Sequence, residues 1–156
     1  MEHLKEKSKL AKTLTKQIAL FLIYFMLKNN KYLLDTHVLL WWLSADKQLG
    51  SSARKMIAST DNQIFCSVAS YWEMVIKQSL GKLSFPKKTF TTLEENGILI
   101  LPIEAKHIAE LQSLPTIHKD PFDRILIAQA INEKMTLVTG DKHIQKYKID
   151  TLEATV

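Results

Sequence analysis

The stretch Tyr32-Leu33-Leu34-Asp35-Thr36-His37 constrains this chain more than any other. Apolar residues suited to a buried strand run into an acid, and a helical pattern, Val38-Leu-Leu-Trp-Trp-Leu43, follows at once. In an open parallel sheet, a residue at such a junction lies on the rim of the crevice where ligands bind. The same alternation continues down the chain. Short apolar runs at Gln63–Ser67, Ile98–Leu101 and Thr136–Thr139 read as strands, and helical patterns separate them. Strands interleaved with helices predict an α/β sandwich around a mostly parallel sheet.

Local signals set several boundaries. Ser51 or Ser52 can cap a helix over Ala53–Thr60, and Pro86 can start one that runs to Glu95. Ser67 can cap a helix over Val68–Leu80, with Gly81 as its stop. Asp120-Pro121 combines a capping acid with a first-turn proline. The helix it opens, to about Lys134, is apolar on nearly every side and is expected to be central. The last residues are candidates for an edge strand.

Four acids follow this frame. Asp35 follows strand one, Glu73 lies two turns into the helix after strand two, Asp123 lies in the first turn of the central helix, and Asp141 follows strand four. Right-handed crossovers would aim all four at one end of the sheet. Carboxylates gathered there repel and raise one another's pKa values, and a divalent cation is the usual remedy. Oxygen ligands without thiolate or a His-x-x-x-His pair favour Mg2+ or Mn2+. Metals held in this way suit phosphodiester hydrolysis without a side-chain nucleophile.

Each acid also has a plainer reading. Asp35 and Asp141 could be helix caps, and Asp123 could complete a capping box behind Asp120. Glu73 could pair with Lys77 one turn on. Asp120 reads as the cap itself. Ser67 and Ser70 precede Glu73 on its own helix face. Arg124 could hold a phosphate or pair with Asp120. His37 and His118 lie near the rim, where hydrogen-bonded structural roles outnumber catalytic ones. Trp41 and Trp42 read as core or dimer surface.

Charge adds little. The net charge is +5, and residues 1–25, with five lysines against two glutamates, carry +3 of it, leaving +2 for the rest. A nearly balanced globular part gives weak support for a polyanionic partner. A single cysteine, Cys66, excludes an internal disulfide and suits a reducing, cytoplasmic setting. Residues 1–30 form an extension in which a lysine-rich segment precedes ten unbroken apolar residues, Ile18 to Leu27. That run is half of what a spanning helix needs, about 20 residues. No small-residue cleavage site follows it. Two readings are open: a helix that packs on the domain or on a second copy, or a natural start at Met26.

Taken together, Tyr32–His37 with Trp41-Trp42, Ser67-Val-Ala-Ser70-Tyr-Trp72-Glu73, His118-Lys-Asp120-Pro-Phe-Asp123-Arg124 with Ile127-Ala-Gln-Ala130, and Thr139-Gly140-Asp141 resemble PIN-domain nucleases. The likeness is strongest to the VapC-like toxins of bacterial type II toxin–antitoxin pairs. It covers about residues 31–150, within a domain taken as 31–156. It implies a three-layer α/β/α PIN fold and Mg2+- or Mn2+-dependent endoribonuclease activity, with tRNA or rRNA among family substrates. The acidic site maps onto Asp35, Glu73, Asp123 and Asp141. A homodimer and a cognate antitoxin are also implied, and no membrane association. Two rivals are a non-catalytic PIN-fold module that binds RNA or a partner protein, and a phosphatase with Asp35 as nucleophile. The second lacks the usual further acid two residues on, where His37 stands.

Overall fold

The computed structural model describes residues 1–27 and 30–156. Lys28 and Asn29, part of the polar stretch between the extension and the first strand, lie outside the described residues. The elements run α1 (Glu2–Leu27), β1 (Lys31–Leu34), α2 (Thr36–Leu43), α3 (Ser51–Ala58), β2 (Gln63–Ser67) and α4 (Val68–Ser79). They continue with α5 (Thr89–Glu95), β3 (Leu99–Leu101), α6 (Ala105–Glu110), α7 (Pro121–Glu133), β4 (Thr136–Thr139), a 3-10 turn (Ile144–Lys146) and β5 (Thr151–Glu153).

The five strands form one sheet in the order β3-β2-β1-β4-β5, and every pairing is parallel. Leu33 sits opposite Phe65 on one side and Leu137 on the other, so β1 is the central strand. Strand side chains alternate between faces. Leu34, Cys66 and Val138 therefore enter one core layer, with Val38 and Leu39 of α2, Ala53 and Ile57 of α3, and Phe90 and Leu93 of α5. Leu33, Leu101 and Leu137 enter the other, with Ile125 to Ala128 and Ala130 of α7. Helices on both faces of a parallel sheet give the α/β/α sandwich that the alternation of elements implies.

Chain connectivity creates the crevice. From β1 the chain moves outward to β2 and β3, then returns across to β4 and β5. The order reverses between β1 and β4, and the rim at their carboxyl ends is a topological switch point. Asp35 and Asp141 follow those two strands.

Two boundaries differ from the sequence reading. Neither Ser51 nor Ser52 caps α3; Gly50 holds the cap position without a side-chain bond. Its amide instead donates to the Ala154 carbonyl at 2.8 Å, which ties the start of α3 to the chain's end. A Cβ at Gly50 would stand 2.8 Å from the Thr155 carbonyl oxygen, so only glycine permits this approach. The same tail holds the β4 loop. The Ala154 amide donates to the Thr139 carbonyl at 3.0 Å, and a Cβ at Gly140 would meet Thr155 Cγ2 at 2.7 Å. The second difference is α5, which starts at Thr89 rather than at Pro86; Pro86 instead accepts the Thr89 amide and hydroxyl.

The N-terminal extension is helical, and the side chains of residues 1–23 are all exposed. No helix among the described residues is long and apolar enough to cross a membrane. Cys66 is fully buried on β2, and burial pushes its thiol pKa up to about 12, which makes it inert.

Candidate active site

The floor of the crevice is built around Asp35. The residue is 3% exposed. Oδ1 accepts the His37 amide at 3.0 Å, so Asp35 caps α2, as the plainer reading has it. Oδ2 accepts the Thr139 hydroxyl at 2.6 Å across the β1–β4 junction. Both bonds fix the plane of the carboxylate. Next to it, the fully or nearly buried Thr36 and Ser70 hydroxyls meet at 3.1 Å, which joins the start of α2 to α4.

Glu73 stands on α4, 8% exposed, with Lys77 Nζ at 2.7 Å from Oε1. Ser67 caps this helix by accepting the Ala69 amide at 3.0 Å. One face of α4 packs on α2 and α7. The other leaves Val68, Tyr71, Trp72 and Val75 between 37% and 58% exposed, at helical spacing.

The rim is organised around His118. Asp120 caps α7 by accepting the Phe122 and Asp123 amides at 2.8 and 3.2 Å. Its own amide donates to His118 Nδ1 at 3.1 Å. With Nδ1 accepting, the ring hydrogen is on Nε2. That nitrogen lies 3.2 Å from Asp123 Oδ2 and 3.0 Å from Asp141 Oδ2, and bridges the two carboxylates. His118, Asp123 and Asp141 each offer a ligand atom, all within 4.8 Å of one another. Asp35 and Glu73 are not part of that tight group, so the four acids do not surround a single point at that spacing.

Electrostatics nevertheless couples the group. Asp123 is pushed from the usual carboxylate range up to about 7, first by burial, then by the charges of Asp35 and Asp120, with Glu73 adding to them. His118 opposes this rise. Burial also pushes Asp141 upward, but the His143 amide at 2.6 Å and the His118 ring together hold it below its ordinary value. Asp141 thus caps the following turn, again as its plainer reading expects. A bond from the Asp35 side chain outweighs burial and holds the His37 imidazole above its usual range.

Arg124 is engaged by backbone carbonyls rather than by Asp120. Its guanidinium donates to the carbonyls of Leu111, Leu114, Pro115 and His118. It pins to α7 the loop that carries His118. The Tyr147 hydroxyl braces the same loop, accepting the His118 amide at 2.8 Å and donating to Pro115 at 3.0 Å. The Thr139 hydroxyl, which also accepts the Asp141 amide at 3.0 Å, was not singled out from the sequence. A threonine ending a strand two residues before an acid was the available signal.

The donor set suits a hard divalent cation: three carboxylates whose charges bear on one another, with a fourth carboxylate within reach of His118. Burial first, and then the charges of Asp35, Asp120 and Glu73, raise Asp123, and a cation held there would relieve the part of that rise that comes from the neighbouring charges.

The model of the PIN domain matches residues 32–150, and the chain belongs to that family. It is 26% identical over 119 residues to ribonuclease VapC22 of Mycobacterium tuberculosis, covering 74% of this chain and 91% of that protein. Among solved structures, VapBC2 of Rickettsia felis bound to a promoter DNA fragment is similar at a TM-score of 0.61 and 17% identity, over 80% of this chain and 98% of that one. DNA-bound VapBC of Salmonella typhimurium is similar at 0.58 and 14% identity, over the same shares. These structural likenesses bear on the fold.

Proposed function

We propose that this protein is a metal-dependent endoribonuclease, the toxin of a toxin–antitoxin pair. The observation that carries the reading is the group of His118, Asp123 and Asp141 on the rim, where burial first, and then the charges of Asp35, Asp120 and Glu73, raise Asp123 to about 7. Membership of the PIN family and the likeness to a ribonuclease support it. Asp35, Glu73, Asp123 and Asp141 would hold Mg2+ or Mn2+. When bound, such a cation supplies positive charge against the phosphate and the attacking water. The protein's own part is positional. Thr139 and the His37 amide fix the Asp35 carboxylate, and α7 carries Asp123 toward it. Lys77 balances Glu73, and His118 holds Asp123 and Asp141 in register.

A cognate antitoxin is the partner that the VapBC-type neighbours suggest. A second copy of the chain is the other. We assign it to the exposed α4 stripe, where Trp72 packs edge-on against Phe122 at 5.2 Å. Glu73 lies on the same helix, so pairing there would bring two carboxylate sites toward one cleft.

The test is cleavage of a cellular RNA pool by the purified full chain in Mg2+ or Mn2+, with chelator and Asp35→Asn as controls. Cut ends that disappear in both controls are the expected result. Intact RNA in every metal condition would favour the non-catalytic module instead.

A further inference from the structure

Helix α1 takes no part in the nuclease reading, and it precedes the family match at residues 32–150. It runs from Glu2 to Leu27, and its two long sides differ in kind. Leu4, Leu10, Leu14, Ile18 and Leu22 are between 51% and 73% exposed. At about 100° per residue they share roughly one third of the helix circumference. Lys5, Lys9, Lys12 and Lys16 follow one another at spacings of four, three and four, which stacks them in one row on the opposite side. All four are exposed. Glu2 and Glu6 border that row. Lys7 falls within the apolar sector, where its long stem can lie along the leucines with the ammonium held clear. From Ile18 to Leu27 the sequence carries no charge on any side. There Leu20 and Ile23, 56% and 51% exposed, continue the lysine row as apolar residues.

We infer that α1 lies along the surface of a bilayer rich in anionic phospholipid and holds the folded domain there. An apolar sector opposite a lysine row is the pattern of a helix that rests in the headgroup layer. The leucines enter the acyl boundary, and the long lysine stems let the ammonium groups reach back to the phosphates. Lysines complement anionic headgroups, each adding about fivefold to partition. A second copy of α1 laid along the leucines would cover that sector only. It would leave Leu20 and Ile23 in water and bring no row of negative charge to the lysines. A lipid surface accommodates both sides, with the uncharged end sunk deeper than the lysine-bearing end. The helix rests on the surface rather than spanning it, since no described helix is long and apolar enough to cross. The family resemblance, with its expectation of no membrane association, begins at about residue 31 and does not reach α1. Catalysis in the crevice draws nothing from α1, so this role stands or falls apart from the nuclease reading.

The test is vesicle sedimentation with the purified full chain. Vesicles of phosphatidylcholine alone are compared with vesicles of equal parts phosphatidylcholine and phosphatidylglycerol. The chain should pellet with the mixed vesicles and bind the neutral ones at least about 100-fold more weakly. Added salt should narrow that gap. Replacing Lys5, Lys9, Lys12 and Lys16 together by Gln should remove the preference for the mixed vesicles. Leu14→Glu combined with Ile18→Glu should abolish pelleting on either kind. Near-ultraviolet circular dichroism reads the tryptophans, all of which lie outside α1, and should be unchanged in both variants. A chain that stays in the supernatant with mixed vesicles at low salt overturns the lipid role, as does equal pelleting of the Leu14→Glu, Ile18→Glu protein. Equal binding to neutral and mixed vesicles overturns it too. So does a chain that binds no vesicle but is dimeric by light scattering and becomes monomeric in that double variant, because α1 then faces a second copy. RNA cleavage should be the same in all these proteins, so none of these outcomes touches the nuclease reading.

Discussion

The floor and the rim of the crevice hold their carboxylates in opposite ways. On the floor, Asp35 is buried and each of its carboxylate oxygens accepts a hydrogen bond, one from a hydroxyl and one from an amide. On the rim, Asp123 is pushed up to about 7, and a histidine bridges it to Asp141. The difference teaches that one half of the site is finished by folding alone. The other half buries an acid whose ionisation is opposed first by that burial and then by the neighbouring carboxylates.

Asp35→Asn should break that comparison most severely. Removing the fixed charge should lower RNA cleavage by roughly a thousandfold or more, with the circular-dichroism spectrum unchanged. Cleavage within tenfold of the unmodified protein would show that the floor is only a helix cap. Thr139→Val tests the floor's rigidity without removing an acid. It leaves a carboxylate oxygen buried without its donor, which should destabilise the fold by about 1–3 kcal/mol. Cleavage should fall about 10- to 100-fold, the range for groups that orient a metal ligand. Denaturant unfolding and initial rates give the two numbers.

The rim carries a pH signature of definite sign. Asp123 has a higher pKa in the folded chain than its ordinary value of 3.8, so the folded state binds the extra proton. Its contribution to stability is fully present below about 4 and is lost as pH rises toward 7. In the metal-free protein, Asp123→Asn should therefore flatten the fall in Tm between pH 5 and pH 7. Thermal unfolding of both proteins with chelator provides the check, and parallel curves would remove the rim's special status. Metal uptake should follow the reverse course and weaken below pH 7, as calorimetry can measure. The smallest effect belongs to Lys77→Ala. An i, i+4 pair of this kind contributes about 0.3–0.5 kcal/mol, so Tm should barely move.

How much of this was legible in the sequence divides along the same line. Strand-to-helix junctions placed Asp35 and Asp141, because a parallel sheet sends every strand's carboxyl end the same way. The Asp120-Pro121 start placed Asp123, since capping is a local interaction. Interactions between distant segments were not legible. The Thr139–Asp35 bond spans 104 residues. Arg124 turned toward four carbonyls because a loop folded back over it, and no pattern within its own helix encodes that. Ser51 and Ser52 were misleading as caps, since the tail carbonyl at Ala154 holds the Gly50 amide instead.

The last residues carry a consequence for anyone handling this protein. Ala154 and Thr155 are wedged between the loop before α3 and the loop that presents Asp141. Removing residues 154–156 should loosen the loop that presents Asp141, and so lower any RNA cleavage, with every acid still in place. A purification tag belongs at the other terminus.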